Sequence, residues 1–224
     1  MPTFHTPSEA GVRREQIAWG VVGATWLTYL MMQVAGFEGP LRLVVKGMLM
    51  ATLLGWVLVA LGPRAPRWLV AGLAFAILGD VLLDVRFELG MVGFLLMQIC
   101  YIVGFLRLGA WTGLRARWPV GVGYLIVGLG ANIALGPHLG SLALPVLVYS
   151  TAILSMAALA SGVDSRVGLG GLLFVISDAL IGVDKAGAGF PGRGMVVMLT
   201  YLAAQYLIAT GWARRVDPDV LVPV

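Results

Sequence analysis

The sequence predicts an all-α fold, a polytopic membrane bundle of eight transmembrane helices, and three observations carry this prediction. Of the 224 residues, 59% are hydrophobic and 12% are charged, which is half the charged share of a soluble domain, roughly 25%. The mean hydropathy is +0.93. The apolar residues form continuous runs long enough to cross a bilayer, about 20 residues each, without the apolar-polar alternation of membrane barrel strands.

Eight apolar runs qualify as spans. In order, they cover residues 17–35, 41–61, 67–85, 89–107, 118–135, 140–160, 167–183 and 194–213. Glycine and proline, which interrupt helices, separate most of them. These breaks are Gly36 to Pro40, Gly62 to Pro66, Pro119, Gly136-Pro137, Gly162 to Arg166, and Gly187 to Gly194.

The spans divide the chain into a tail at 1–16, a transmembrane domain at 17–213 and a second tail at 214–224. The first run lacks a small-residue cleavage site, so we expect a retained helix rather than a signal peptide.

The distribution of arginine and lysine predicts the orientation. Five basic residues fall on one side of the bundle: Arg42, Lys46, Arg86, Lys185 and Arg193. Ten fall on the other: Arg13, Arg14, Arg64, Arg67, Arg107, Arg115, Arg117, Arg166, Arg214 and Arg215. The positive-inside rule places both termini in the cytoplasm of a bacterial inner (plasma) membrane. The net charge of +4 is therefore a topology signal, and we expect no nucleic-acid partner.

Ionisable side chains within apolar runs are costly and usually mark a functional site. Asp80 and Asp84 end the third span, four residues apart and on one helix face. Asp178 lies in the seventh span and Lys46 in the second. The predicted orientation places these groups in the outer half of the bilayer. The other polar residues expected near this level are Gln98, Tyr101, Tyr149, Ser177, Tyr201 and Gln205.

Each of these residues also has a structural interpretation. The amides, hydroxyls and buried acids are of the types that join helices through hydrogen bonds, and Asp84 is a candidate solvated acid at the interface. Ser177 has neither a Gly-x-Ser-x-Gly context nor a nearby histidine base. The only histidines are His5 and His138, too few for a multi-histidine zinc site. We predict no cofactor, although carboxylates leave magnesium or calcium open.

A short internal similarity suggests a repeat. Residues 75–83 resemble residues 174–181, and a helix containing glutamine and tyrosine follows each segment. The hypothesis is two parallel four-helix repeats related by an axis along the membrane normal.

The motifs together resemble the lysoplasmalogenase-like (YhhN) family of integral membrane proteins. The similar positions in the third and fourth spans are Gly79-Asp80-Val81-x-Leu83, Phe87-x-x-Gly90, Phe94, Gln98-x-x-Tyr101 and Phe105. Those in the last three spans are Pro145-Val146-x-x-Tyr149, Met156, Gly171-x-x-Phe174-x-x-Ser177-Asp178 and Thr200-Tyr201-x-x-Ala204-Gln205. The chain departs from the pattern at Lys46-Gly47, where members often have Lys-Pro, and at Gln98, where many have histidine. Gln98 is therefore not expected to act in acid-base chemistry.

The resemblance implies a hydrolase that cleaves the vinyl-ether bond of lysoplasmalogens to a fatty aldehyde and glycerophosphoethanolamine or glycerophosphocholine. This chemistry suits carboxyl groups, so Asp80 and Asp178 are the expected acid and base. Tyr101, Tyr201 and Gln205 would position water, and Lys46 would tune a carboxyl or contact the lipid phosphate. The expected partners are the lysophospholipid and bilayer lipid; the oligomeric state is not readable. The alternatives are a proton-coupled or lipid transporter, which buried acids also suit, and a non-catalytic lipid-binding protein.

Overall fold

The computed structural model describes residues 9–222 and contains, within that range, helices and no strands. Eight of these helices are long and apolar enough to cross a membrane. The predicted all-α fold with eight spans is confirmed, and the chain is an integral membrane protein. The helices are α1 Glu9–Val34, α2 Pro40–Leu61, α3 Arg67–Val85, α4 Phe87–Arg107, α5 Ala110–Ala116, α6 Trp118–Leu135, α7 Ala143–Val163, α8 Ser165–Lys185 and α9 Arg193–Val216.

Two features differ from the expected spans. Helix α1 begins at Glu9, eight residues before the predicted start at 17, because its polar first turns are fixed by the other end of the chain. There the Leu221 amide donates to the Glu15 carboxylate over 3.0 Å, and the Trp19 indole donates to the Leu221 carbonyl over 2.8 Å. The short helix α5 fills a stretch assigned to no span. His5 lies outside the described residues.

Six of the helices form a closed ring, and α1, the short α5 and α6 lie outside it. Around the ring, α2 packs on α3, α3 on α4, α4 on α7, α7 on α8, α8 on α9, and α9 back on α2. Helix α1 packs against α2 outside the ring, and α6 packs mainly against α7. Only 6% of the apolar window of α6 is buried, so most of its surface is left for lipid. The ring therefore holds the interior of the bundle.

Small residues set the helix spacing next to the two deepest acids. A Cβ atom on Gly93 of α4 would lie 2.8 Å from the Gly79 Cα of α3, so the backbones touch directly beside Asp80. A Cβ on Gly171 of α8 would lie 2.9 Å from the Ala157 Cα of α7. Close approach of this kind is the usual basis of helix association in lipid. It holds Asp80 and Asp178 on tightly packed helix pairs. The four-helix repeat stays a hypothesis.

Candidate active site

A polar cavity of about 270 Å³ lies between the ring helices α2, α3, α4, α8 and α9, and α1 also lines it. It opens at the end of the bundle where α2 and α9 begin and α8 ends, because the first turns of α2 and α9 and the last of α8 line it. Charged and polar side chains from α1, α2, α3, α8 and α9 face it. They are Tyr29, Gln33, Arg42, Lys46, Asp80, Asp84, Ser177, Asp178, Asp184, Lys185, Arg193 and Tyr201. The predicted convergence of Lys46 and the three acids is thus observed.

Asp80 lies at the buried end of this cavity. Its side chain is 2% exposed, and the Tyr201 hydroxyl donates to its Oδ2 over 2.8 Å. The Tyr201 ring packs edge-on against Phe94 and Phe174, with centroid distances of 5.8 and 5.6 Å. These apolar rings fix the tyrosine, and the tyrosine fixes the carboxyl.

Lys46 pairs with the outer acid of α3. Its Nζ lies 2.6 Å from the Asp84 Oδ1, and the Lys46 side chain is 6% exposed against 35% for Asp84. Lys46, Asp84 and Asp80 line the same cavity. A buried lysine is tolerated when it is paired, so Asp84 supports the cation that lies near Asp80.

Asp178 is in a different setting. It is half-buried, and the Tyr149 hydroxyl donates to its Oδ2. No ion pair found within residues 9–222 includes it. Asp178 and Tyr149 also line a second, mostly apolar cavity of about 120 Å³ between α6, α7 and α8. Asp178 therefore stands between a polar and an apolar space.

Four predicted site residues do not line the polar cavity: Tyr149, which lines the apolar one, and Gln98, Tyr101 and Gln205. The Tyr101 hydroxyl donates to the Gln205 Oε1 over 2.8 Å, and the Gln205 amide donates to the Met97 sulfur over 3.2 Å. Gln98 is fully buried, and neither its amide nitrogen nor its amide oxygen forms a hydrogen bond within the described chain. Ser177 does line the cavity, but its hydroxyl donates to the Val197 carbonyl over 3.0 Å. The water-positioning roles of these residues stay predictions.

Sequence reasoning missed six polar residues of the cavity wall, which are Tyr29, Gln33, Arg42, Asp184, Lys185 and Arg193. Arg42 was counted only as a topology charge, and Gln33 was not singled out, yet both line the cavity. A signal for Arg42 was present, because it precedes Lys46 by four residues and so shares its helix face. Within residues 9–222, no three metal-binding side chains of the histidine, cysteine, aspartate or glutamate types form a cluster.

The arrangement supports proton transfer at the border of an apolar space. Two carboxyls, each held by a tyrosine hydroxyl, line the same cavity. Carboxyls in different surroundings can divide the roles of acid and base between them. A substrate with a polar head and an apolar tail would place their junction beside these groups.

Comparisons with known proteins are consistent with this geometry. The profile of the YhhN family matches residues 41–212, which include all the predicted site residues. Two proteins named lysoplasmalogenase, from Mycobacterium bovis (strain ATCC BAA-935 / AF2122/97) and Mycobacterium tuberculosis (strain CDC 1551 / Oshkosh), are each 32% identical over 173 residues. Those alignments cover 71% of this chain and 66% of each relative.

Human lysoplasmalogenase TMEM86B is 32% identical over 111 residues, which cover 45% of this chain and 49% of the human protein. No solved structure matches the chain.

Proposed function

The chain belongs to the YhhN family, and on that premise we propose that it is a membrane hydrolase that cleaves the vinyl-ether bond of lysoplasmalogens. The products are a fatty aldehyde and glycerophosphoethanolamine or glycerophosphocholine. The names of the mycobacterial and human relatives support the substrate class. The observation that carries the proposal is the position of Asp178, which lines both the polar cavity and the apolar cavity beside it.

A lysoplasmalogen has its vinyl-ether group at the junction of its headgroup and hydrocarbon chain. With the headgroup in the polar cavity and the chain between α6, α7 and α8, this junction lies beside Asp178. Helix α6 contacts α7, for example through the hydrogen bond of 2.9 Å from the Asn132 amide to the Ser150 hydroxyl, and 6% of its apolar window is buried. The proposed route for the hydrocarbon chain is therefore sideways from the bilayer, past α6.

The first step protonates carbon. Asp178, in its neutral form, donates its proton to the alkenyl carbon remote from the ether oxygen, and the positive charge moves to the C–O group as an oxocarbenium ion. Asp178 suits this role because it borders the cavity that holds the alkenyl chain. We assign the role of carboxylate to Asp80, because the Tyr201 hydroxyl donates to it and the Lys46 cation lines the same cavity.

Water then completes the hydrolysis. It adds to the carbon that carries the ether oxygen, and Asp80 takes the released proton, which gives a hemiacetal. In the collapse, the hemiacetal hydroxyl returns a proton to Asp178 and the glycerol oxygen receives one from Asp80. The C–O bond to glycerol breaks and the aldehyde forms, so one water is consumed and both carboxyls are restored.

The orientation is part of the proposal. We infer that both termini lie in the cytoplasm of the bacterial inner membrane, so the polar cavity opens at its outer face. The count of basic residues supports this placement.

The test is aldehyde release by purified protein from lysoplasmenylethanolamine and lysoplasmenylcholine in D₂O, with alcohol dehydrogenase reducing the aldehyde as it forms. Protonation at carbon predicts one deuterium from solvent on the carbon next to the aldehyde carbon. Parallel reactions with EDTA show whether release depends on a divalent cation.

Folded protein that releases no aldehyde contradicts the proposal. If it instead moves the lipid across a proteoliposome membrane without forming product, the carrier alternative is correct. Aldehyde without solvent deuterium contradicts the carbon-protonation mechanism while leaving the hydrolase assignment in place.

A further inference from the structure

The polar cavity carries four basic side chains, and three of them already have partners. Lys46 pairs with Asp84, and the Arg193 guanidinium lies 2.9 Å from the Asp184 Oδ2. The Lys185 ammonium lies 4.6 Å from the centre of the Phe87 ring, a cation-π contact. The fourth is Arg42.

Arg42 is half-buried and has no such partner. Its Nε atom is buried without a hydrogen-bond acceptor, and none of the ion pairs found in residues 9–222 includes it. A buried N–H group without an acceptor is costly. A buried unpaired donor that faces a cavity is accounted for when a ligand supplies the acceptor.

Two further features fit an anionic ligand that also carries hydrogen-bond donors. The first turns of α2 and α9 line this cavity, and helix N-termini carry partial positive charge. The Gln33 Oε1 is also buried without a donor and lines the same cavity. An unpaired guanidinium and an unpaired amide oxygen suit a phosphate next to an ammonium or hydroxyl group.

We propose that Arg42 anchors the phosphate of a lysophospholipid headgroup in the outer part of this cavity. The assignment rests on the proposed function, since it names the headgroup end of the same substrate. The planar guanidinium forms paired hydrogen bonds with phosphate oxygens, and a lysine ammonium cannot reproduce that fork.

The spacing along α2 fits this substrate. Arg42 lies one helical turn outside Lys46, about 6 Å along the axis, and Lys46 marks the level of Asp80 and Asp84. In a lysoplasmalogen, the path from the vinyl-ether oxygen to phosphorus runs through the three glycerol carbons and one oxygen. With bonds of about 1.5 Å, an extended path covers about 6 Å. A phosphate on Arg42 therefore leaves the vinyl-ether group at the level of the carboxyls.

The test is a binding measurement with two non-cleavable lipids in nanodiscs, 1-O-alkyl-lysophosphoethanolamine and 1-O-alkylglycerol, which lacks the phosphate. Arg42→Gln should weaken binding of the phospholipid roughly tenfold to a hundredfold, the effect of losing a charge-assisted contact. Binding of the alkylglycerol should not change. Arg42→Lys keeps the charge but loses the paired hydrogen bonds, so its affinity for the phospholipid should lie between those of wild type and Arg42→Gln.

Arg86→Gln is the matched control. It removes the same charge at the same end of the bundle, but Arg86 is 71% exposed and lies 3.3 Å from Glu88, so both lipids should bind as they do to wild type. Equal weakening of both lipids by Arg42→Gln would show a structural role and overturn the proposal. If Arg42→Gln does not fold, the same comparison is made with Arg42→Lys.

Soluble competitors separate a lipid headgroup from free phosphate. Glycerophosphoethanolamine should displace the phospholipid more strongly than inorganic phosphate does. Equal displacement by inorganic phosphate would overturn the headgroup assignment.

These measurements need no turnover, so the two proposals fail separately. Wild-type protein that binds the lipid through Arg42 but cleaves no lysoplasmalogen contradicts the hydrolase alone. Protein that cleaves with an unchanged KM in Arg42→Gln contradicts the phosphate site alone.

Discussion

The two deepest carboxyls of the cavity share one type of partner and differ in everything around it. Asp80 accepts from Tyr201 across the ring, is 2% exposed, and lies near the Lys46–Asp84 pair. Asp178 accepts from Tyr149 of the neighbouring helix, is half-buried, and borders an apolar cavity.

The difference shows how one bundle can hold an acid and a base of the same residue type. Asp80 shares its cavity with the Lys46–Asp84 pair, whereas Asp178 also borders an apolar cavity. On this difference we assign the base to Asp80 and the acid to Asp178. Each tyrosine keeps its carboxyl in place. The surroundings, rather than the residues themselves, divide the proposed roles.

Replacing each carboxyl with its amide is expected to have the largest effect. Asp80→Asn and Asp178→Asn should each lower kcat by about 10²–10⁴, the usual contribution of a positioned acid or base. The solvent deuterium isotope effect on the residual rate separates the roles. It should stay large in Asp178→Asn, where proton transfer to carbon is slowed further, and shrink in Asp80→Asn, where water addition is slowed.

The opposite pattern of isotope effects would exchange the two roles. Turnover at the wild-type rate in either variant would remove that residue from the mechanism. Both substitutions are isosteric, so the far-UV spectrum and elution volume should match those of wild type.

Replacing the tyrosines should lower kcat less than replacing the carboxyls does. Tyr201→Phe leaves a fully buried carboxyl without its donor and should lower kcat roughly tenfold to a hundredfold, the effect of losing one hydrogen bond to a charged group. Tyr149→Phe should cost less than about tenfold, since Asp178 opens to cavities from which water can replace the hydroxyl. The measurements are kcat and Tm for both variants side by side.

Tyr101→Phe removes the same hydroxyl from a pair that lies away from the cavity. We expect a lower Tm with kcat near that of wild type. A fall in kcat as large as that of Tyr201→Phe would instead support the water-positioning role predicted from sequence. Equal losses of kcat in Tyr149→Phe and Tyr201→Phe would show that the different burial of Asp80 and Asp178 does not affect catalysis.

The fold and the charged centre of the site could be predicted from the sequence, because both follow from the free energy that an unpaired polar or charged group costs within lipid. Only helices satisfy their backbone within lipid, so the apolar runs had to be spans. Ionisable groups inside the spans are stabilised when they meet, so Lys46, Asp80, Asp84 and Asp178 were expected at one level of the bilayer, and the structure shows that all four line one cavity.

The neutral polar residues could not be placed this way. Gln98 and Tyr101 share a face of α4 by their spacing, but spacing does not tell which neighbour that face meets. The structure buries both, and Tyr101 pairs with Gln205. Amide and hydroxyl side chains can form hydrogen bonds with one another as readily as they can line a cavity. Which of the two they do depends on how each helix is rotated about its axis. Arg42 is the opposite case, a residue that lines the cavity but was not expected there, because a charged side chain near the end of a span is usually solvated.

The smallest effect should come from the apolar side of Asp178. Gly182 lies one turn further along α8 and lines the apolar cavity, and a Cβ there would come no closer than 3.9 Å to its nearest neighbour, the Leu135 Cδ1. Gly182→Ala should therefore keep activity and stabilise the protein by up to about 1 kcal/mol. Gly182→Leu fills the space proposed for the hydrocarbon chain.

We expect Gly182→Leu to lower kcat/KM several-fold for long-chain lysoplasmalogens and less for short-chain ones, measured as a chain-length series on both variants. The headgroup end should be unaffected, because Gly182 does not line the polar cavity. A loss independent of chain length would place the chain elsewhere. The apolar cavity beside Asp178 would then not hold the hydrocarbon chain of the substrate. The proposed division of roles between the two carboxyls would rest on Lys46 alone.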